Sequence, residues 1–298
     1  MTFSIVARDP QTGEMGVAVQ SHWFSVGSVV GWAEAGVGAA ATQAFVNVSH
    51  GPRSLALLKA GLSPAEALRA LLDADEGRDV RQVAILSAGG DVAAHTGARC
   101  LAAAGHAVGE GFSVQANMML NEQVWPAMAE AFAASAGPLA ERMVTALEAA
   151  QTAGGDIRGQ QSASLLVVRG ESTGKVWEDR LIDLRVEDHP EPVRELRRLL
   201  HVYRAYEHMN AGDRALEVKD VARALAEYSA AEAMCPDNLE MRYWHAVTLA
   251  GLGRLDEALP LFKWVFALDA NWRTLTERLT RTGFLNVSAE ALAVILAQ

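Results

Sequence analysis

Cysteine is scarce in this chain of 298 residues: there are two, Cys100 and Cys235. They lie far apart in apolar or helical stretches and share no CxxC spacing. That argues against a disulfide framework or a thiolate zinc site and fits a reducing compartment. Positive charge is also short. Lys and Arg total 26 against 36 Asp and Glu, a net charge of −10, so no basic surface is expected to neutralise a phosphate backbone and nucleic acid is set aside as a partner. Long apolar runs are missing too. The weakly polar region from Val26 to Val48 is rich in glycine and broken by Glu34, Thr42, Gln43 and Asn47, which fits short buried strands and not a membrane span. No basic segment followed by an apolar stretch opens the chain, so no secretory signal is read and a cytoplasmic location is expected. His22, His50, His95 and His106 are scattered, with no HxxxH pair and no GxSxG elbow, and neither a metal nor a cofactor is expected.

What the chain does contain is alternation. Thr2 to Arg8 and Glu14 to Gln20 read as strands joined by a loop, Asp9 to Gly13, whose proline, glycine and polar residues suit a hairpin. Two short strands are expected at Val29 to Ala33 and Val37 to Thr42. Helical spacing then takes over at Pro52 to Leu58 and Pro64 to Leu72, the second with Ser63 as N-cap and Pro64 at the first helical position. Strands follow at Val80 to Ser87, Val92 to His95 and Gly111 to Met118, helices at Glu122 to Ala134 and Leu139 to Ala153, and strands at Ser162 to Arg169 and Arg180 to Val186. Hairpins in place of βαβ units imply antiparallel sheets with helices packed outside them, an α+β fold.

The first strand begins at the second residue, which makes Thr2 a candidate nucleophile. A residue as small as threonine favours removal of the initiator methionine, which would leave a hydroxyl and a free α-amine on one residue. An α-amine with an unperturbed pKa of roughly 7.7 to 8.0 serves as a base near neutral pH, where a hydroxyl alone is a weak nucleophile. An N-terminal strand needs no catalytic reason, so the dipeptide alone does not decide the matter.

With Thr2 opening a strand and the second strand ending Gln20-Ser21-His22, the chain resembles the N-terminal nucleophile (Ntn) hydrolases, a superfamily that includes proteasome β-subunits and asparaginase-like amidases. The strings TFSIVARDPQTGEMGVAV, AEAGVGAAATQAFVN, HTGARC and GGDIRGQQSASLLVV resemble one bacterial branch in particular, the domain-of-unknown-function 1028 family, over about residues 1 to 200. The resemblance implies a four-layer αββα sandwich with Thr2 in the nucleophile position. It also implies that Gln20 and Ser21, at the end of the second strand, stand beside the nucleophile. Proteasome-like relatives carry a lysine on the third strand. This chain has none before Lys59, and the charged residue in that region is Glu34, either a neighbour that tunes Thr2 or a strand-end charge facing solvent.

Other polar residues fall where a sheet is expected to be buried: Thr42 and Gln43 at a strand end, and Gln115 and Asn117 alternating on one face. Side-chain amides donate to oxyanions, and they also build structural networks, because buried amides must be satisfied. Asn117 is kept as a catalytic candidate. Asp156 and Arg158 are placed to pair across a turn, and Arg158 has the guanidinium to hold a substrate carboxylate. His95, at a strand end, is either a pocket residue or a cap.

After His189-Pro190-Glu191-Pro192 the chain turns almost wholly helical. Ala224, Leu225, Tyr228 and Ala231 recur as Ala258, Leu259, Phe262 and Val265, a separation of 34, which is the tetratricopeptide period. Two such repeats fall short of the usual minimum of about three, so the helix from Pro192 to His208 and the residues after Asn271 are expected to cap them. The expected division is 1–204 for the Ntn-like domain and 205–298 for the helical repeats. Two functions are carried forward. One is an amide-bond hydrolase of a small acyl-amide or peptide-like substrate, with Thr2 as nucleophile. The other is a non-catalytic binding or assembly protein whose helical repeats engage a protein partner or a second copy of the chain.

Overall fold

The computed structural model describes residues 2–298; the expected loss of Met1 concerns a residue outside them. The first unit ends at Leu200 and the second runs His201–Gln298.

The first unit opens with β1 (Thr2–Arg8), β2 (Met15–Ser21), β3 (Gly31–Glu34) and β4 (Gly38–Ala44), followed by α1 (His50–Lys59) and α2 (Pro64–Asp73). Then come β5 (Arg81–Ser87), β6 (Val92–Thr96), β7 (Gly105–Gly109), β8 (Phe112–Asn117), α3 (Val124–Ala134) and α4 (Leu139–Thr152). The unit continues through β9 (Ser162–Val168), the one-turn α5 (Val176–Asp179), β10 (Arg180–Val186) and the start of α6 (Pro192–Glu217). The expected order holds with two additions: β7, a five-residue strand with glycine at both ends, and the one-turn α5 between β9 and β10. The strands form two antiparallel sheets, β10-β9-β2-β1-β8-β7 and β3-β4-β5-β6. The sheets pack on each other, with α1 and α2 against the smaller one and α3 and α4 against the larger.

Local chemistry accounts for these elements. Ser63 caps α2 through a complete capping box with Glu66, and Pro64 supplies the preset φ of the first turn. Val17, Val19, Ala39, Ala41, Ala84 and Leu86 fill the layer between the sheets. Every residue of β2 is buried, as expected of a strand covered on both faces, so its sequence reads as continuously apolar with small residues and not as an alternation.

The second unit continues α6 and adds α7 (Val221–Met234), α8 (Leu239–Gly251), α9 (Leu255–Leu268), α10 (Asn271–Thr282) and α11 (Ala289–Leu296). The recurring residues Ala224/Ala258, Tyr228/Phe262 and Ala231/Val265 are buried at equivalent places in α7 and α9. Helix α6 runs 26 residues, past the expected end at His208. Gly212 lies inside it against the Tyr228 ring, where a Cβ would come within 2.6 Å. No helix among the described residues is long and apolar enough to cross a membrane.

Candidate active site

Thr2 starts the strand at the middle of the larger sheet, opposite Ser21 of β2 on one side and Asn117 of β8 on the other. Side chains alternate across a strand, so Thr2 and Ser4 face the smaller sheet while Phe3 and Ile5 face the opposite way. The Thr2 hydroxyl donates to Ser21 Oγ at 3.0 Å.

Beneath it runs a chain of buried amides. Gln43 Nε2 donates to the Thr2 carbonyl at 3.1 Å and to Gln82 Oε1 at 2.7 Å, and Gln43 Oε1 accepts from Ser4 Oγ at 2.7 Å. Asn117 Nδ2 donates to Gln82 Oε1 at 2.9 Å and, more weakly, to the Thr2 carbonyl at 3.4 Å. Gln82 in turn donates to the Ala116 carbonyl at 2.9 Å and to Thr96 Oγ1 at 2.9 Å. Gln115 closes the far end between Ser4 and Ser113. The two sheets are thereby stitched together through polar groups at the one place where Thr2 begins. Each donor removed from such a buried network costs about 1–3 kcal/mol.

Three of the four described non-glycine residues with left-handed backbone crowd this region: Ser25 (φ 57°), Ala44 (φ 70°) and Met118 (φ 56°). Ala44 and Met118 directly follow Gln43 and Asn117. A Cβ in this conformation costs about 1–2 kcal/mol, and such strain gathers at sites the surrounding fold holds in place.

A cleft of about 340 Å³ opens onto Thr2, Ser21, Gln43 and Arg158, and its other walls are Val26, Val29, Val30, Trp23, Phe45 and Val46. Arg158 is anchored by Asp156, which accepts from its Nε at 3.0 Å and its Nη2 at 2.7 Å. The Asp156 side chain is buried and also accepts from the His22 backbone N–H at 3.3 Å.

Of the residues expected from sequence, Thr2, Ser21, Gln43 and Arg158 thus meet at one cleft, with Asn117 and Asp156 directly behind them. The others lie elsewhere. Gln20 and Thr42 neighbour cleft residues in sequence and therefore point to the opposite faces of their strands; Thr42 Oγ1 donates to the Asn47 carbonyl at 3.1 Å. Glu34 pairs with Gly38, five residues from Gln43 along β4, a distance of roughly 17 Å. It forms an ion pair with Lys59, which is the strand-end role and not a tuning role at Thr2. The His95 ring sits 3.0 Å from the Arg78 carbonyl at the end of β6 and does not line the cleft.

Sequence reading missed Gln82, the hub of the amide chain. Its signal is a lone amide in an otherwise apolar strand, and it pairs in register with Gln43. It also missed the cluster bracing the loop after β4. Buried His50 places Nε2 3.2 Å from Asp75, which binds Arg81 at 2.9 Å, and Arg81 also donates to the Phe45 carbonyl. The Arg81 hydrogen bond holds the Asp75 carboxyl far below its usual range, while burial pushes the His50 imidazole down despite the carboxylate beside it. Among the described residues no cluster of His, Cys, Asp and Glu is arranged to hold a metal.

Residues 2–196 match the model of a family of unknown function, DUF1028. The crystal structure of protein SPO2555 from Silicibacter pomeroyi, assigned to the same family model, is similar with a TM-score of 0.61 and 33% sequence identity, over 67% of this chain and 87% of that one. The comparison with curated proteins found no match. A family match over most of the chain, together with a related crystal structure, establishes that the chain belongs to the DUF1028 family.

Proposed function

We propose that the protein is an N-terminal nucleophile amide hydrolase built on an Ntn-type αββα sandwich, with Thr2 as nucleophile once Met1 is removed. The observation that carries this reading is the placement of the Thr2 hydroxyl, at the head of the central strand and on the floor of a cleft. In this mechanism the α-amine takes the proton as Thr2 Oγ1 attacks the substrate carbonyl. Collapse of the tetrahedral adduct expels the amine, which recovers that proton, and water then cleaves the threonyl ester. Ser21, which accepts from Thr2 Oγ1, fixes the hydroxyl rotamer. Asn117 acts differently from an oxyanion donor: its amide nitrogen is committed to Gln82 and the Thr2 carbonyl. Its Oδ1 is buried without a partner among the described residues and lies across the ladder from Thr2, suited to hold the freed ammonium. Arg158, fixed by Asp156, faces the polar end of the substrate.

The 34-residue recurrence and the buried positions it occupies support a tetratricopeptide-like reading of the helical unit, with a role in engaging a protein partner or a second copy of the chain. In this reading the enzyme needs no cofactor and works in the cytoplasm.

Two measurements test the proposal. Intact mass of the native-start protein is expected to show loss of Met1. Turnover of an amide and lactone library is expected to be abolished in Thr2→Ala and largely kept in Thr2→Ser, since one removed nucleophile costs orders of magnitude in rate. Full retention of Met1 removes the free-amine mechanism and leaves the binding or assembly role in its place, whereas unchanged turnover in Thr2→Ala removes Thr2 as nucleophile and assigns the catalysis to other residues.

A further inference from the structure

Aromatic side chains exposed on well-braced loops call for an explanation, and two stand at the mouth of this cleft. Trp23 is 61% exposed and Phe45 52% exposed, on loops from different sheets. Neither loop is slack. The Trp23 carbonyl accepts from Ser162 Oγ and the Phe45 carbonyl from Arg81, while the Phe45 N–H donates to the Val80 carbonyl at 3.2 Å. Left-handed Ala44 and Ser25 flank these segments. The fold therefore holds two large apolar surfaces in water at fixed positions, a marker of a binding surface.

The interior of the cleft continues their character. Val26, Val29 and Val30 form its walls, and its polar groups belong to Thr2, Ser21, Gln43 and Arg158. Among the described residues of the lining Arg158 carries the one charged side chain, and Asp156 pairs with it. A ligand carrying a charge on the group laid along the valines would lose its hydration against apolar side chains. A volume near 340 Å³ stands at the small end of the range for small-molecule sites, enough for a single acyl group and not for a polypeptide segment.

We infer that the cleft selects amides whose acyl part is uncharged and hydrophobic, an alkyl or aryl group laid between Trp23 and Phe45 with its carbonyl at Thr2. This rests on the hydrolase reading for the chemistry, but the preference itself is a binding property and is measured separately. Calorimetric titration of full-length Thr2→Ala protein with N-octanoylglycine, N-acetylglycine and N-succinylglycine holds the head group constant and varies the acyl part. One octanoyl site at least tenfold tighter than either competitor is expected, with most of that advantage lost in Phe45→Asp and Trp23→Asp, whose exposed positions leave the fold intact. Equal affinities, no octanoyl binding, or an octanoyl affinity indifferent to both replacements overturns the inference. So does a dimer in sedimentation that either replacement dissociates, because the aromatic rim then belongs to an interface. Wild-type kinetics separate the two claims. Octanoyl binding without Thr2-dependent hydrolysis defeats the hydrolase reading alone, and hydrolysis that favours acetyl over octanoyl defeats the acyl preference alone.

Discussion

Two buried glutamines one sheet apart have opposite standing. Gln82 meets the amides of Gln43 and Asn117 and the Ala116 carbonyl, whereas neither polar atom of Gln20 has a partner among the described residues. A buried amide without partners costs about 1–3 kcal/mol, and so does orphaning the partners of a satisfied one. Gln20→Met is therefore expected to stabilise the protein by about 1 kcal/mol and Gln82→Met to destabilise it by about 2–3 kcal/mol, read from urea midpoints at unchanged slope. The same pair shows what a sequence conveys at this scale. Gln20 was legible as a polar residue inside an apolar strand and Gln82 was not, and for the polar residues that were singled out around Thr2 the face each one occupies was not. Both members of Gln20/Ser21 and of Thr42/Gln43 stayed candidates, because alternation relates neighbours to each other and only the sheet packing says which of them looks into the cleft. His50 gives a residue-scale pH dependence. Its imidazole is pushed below its usual value of 6.5, so above about pH 6.5 both folded and unfolded chains hold it neutral. As pH falls through that value the unfolded chain takes up a proton that the folded chain resists, and stability drops. Thermal midpoints are expected to fall between pH 7.5 and 5.5, with a smaller fall in His50→Gln; equal slopes in the two proteins would rule out His50 as the source.

Among elements, those with strong periodicity or end signals were legible: the β1–β2 hairpin, α2 with its Ser63 cap and Pro64, and β10 at its expected bounds. Strand β7 was not. Gly105 to Gly109 has too little β-forming content to call for a strand, and what orders it is pairing with β8 at the sheet edge. Docking of α1 on β3 shows a different dependence on neighbours. A Cβ on Gly51 would stand 2.1 Å from the Trp32 ring, which is tied down by its own Nε1 donating to the Val29 carbonyl at 3.1 Å. Alanine favours a helix over glycine by about 1 kcal/mol, yet overpacking here costs about 1–3 kcal/mol. Gly51→Ala is accordingly expected to destabilise by chemical denaturation, and a stabilised variant would show that the helix shifts freely over the sheet.

At the scale of the whole molecule, α6 belongs to both units: the first ends at Leu200, within its run of Pro192–Glu217. Val193, Leu196 and Leu200 are buried, and Arg197 makes a two-pronged pair with Glu148 of α4 at 2.9 and 2.7 Å. A chain ended after Tyr203 keeps all of these groups and is expected to unfold in one cooperative transition; aggregation or loss of that transition would show that the first unit cannot stand without the helical one. Strand order also has a consequence in time. β1 is made first, yet one of its two neighbours is β8, whose last residue is Asn117. At about 5–20 residues per second the ribosome needs roughly 6–23 seconds to reach that point. Until then one edge of the first strand stays unpaired on the nascent chain, and any peptidase that uncovers Thr2 has that interval in which to reach it before the ladder closes.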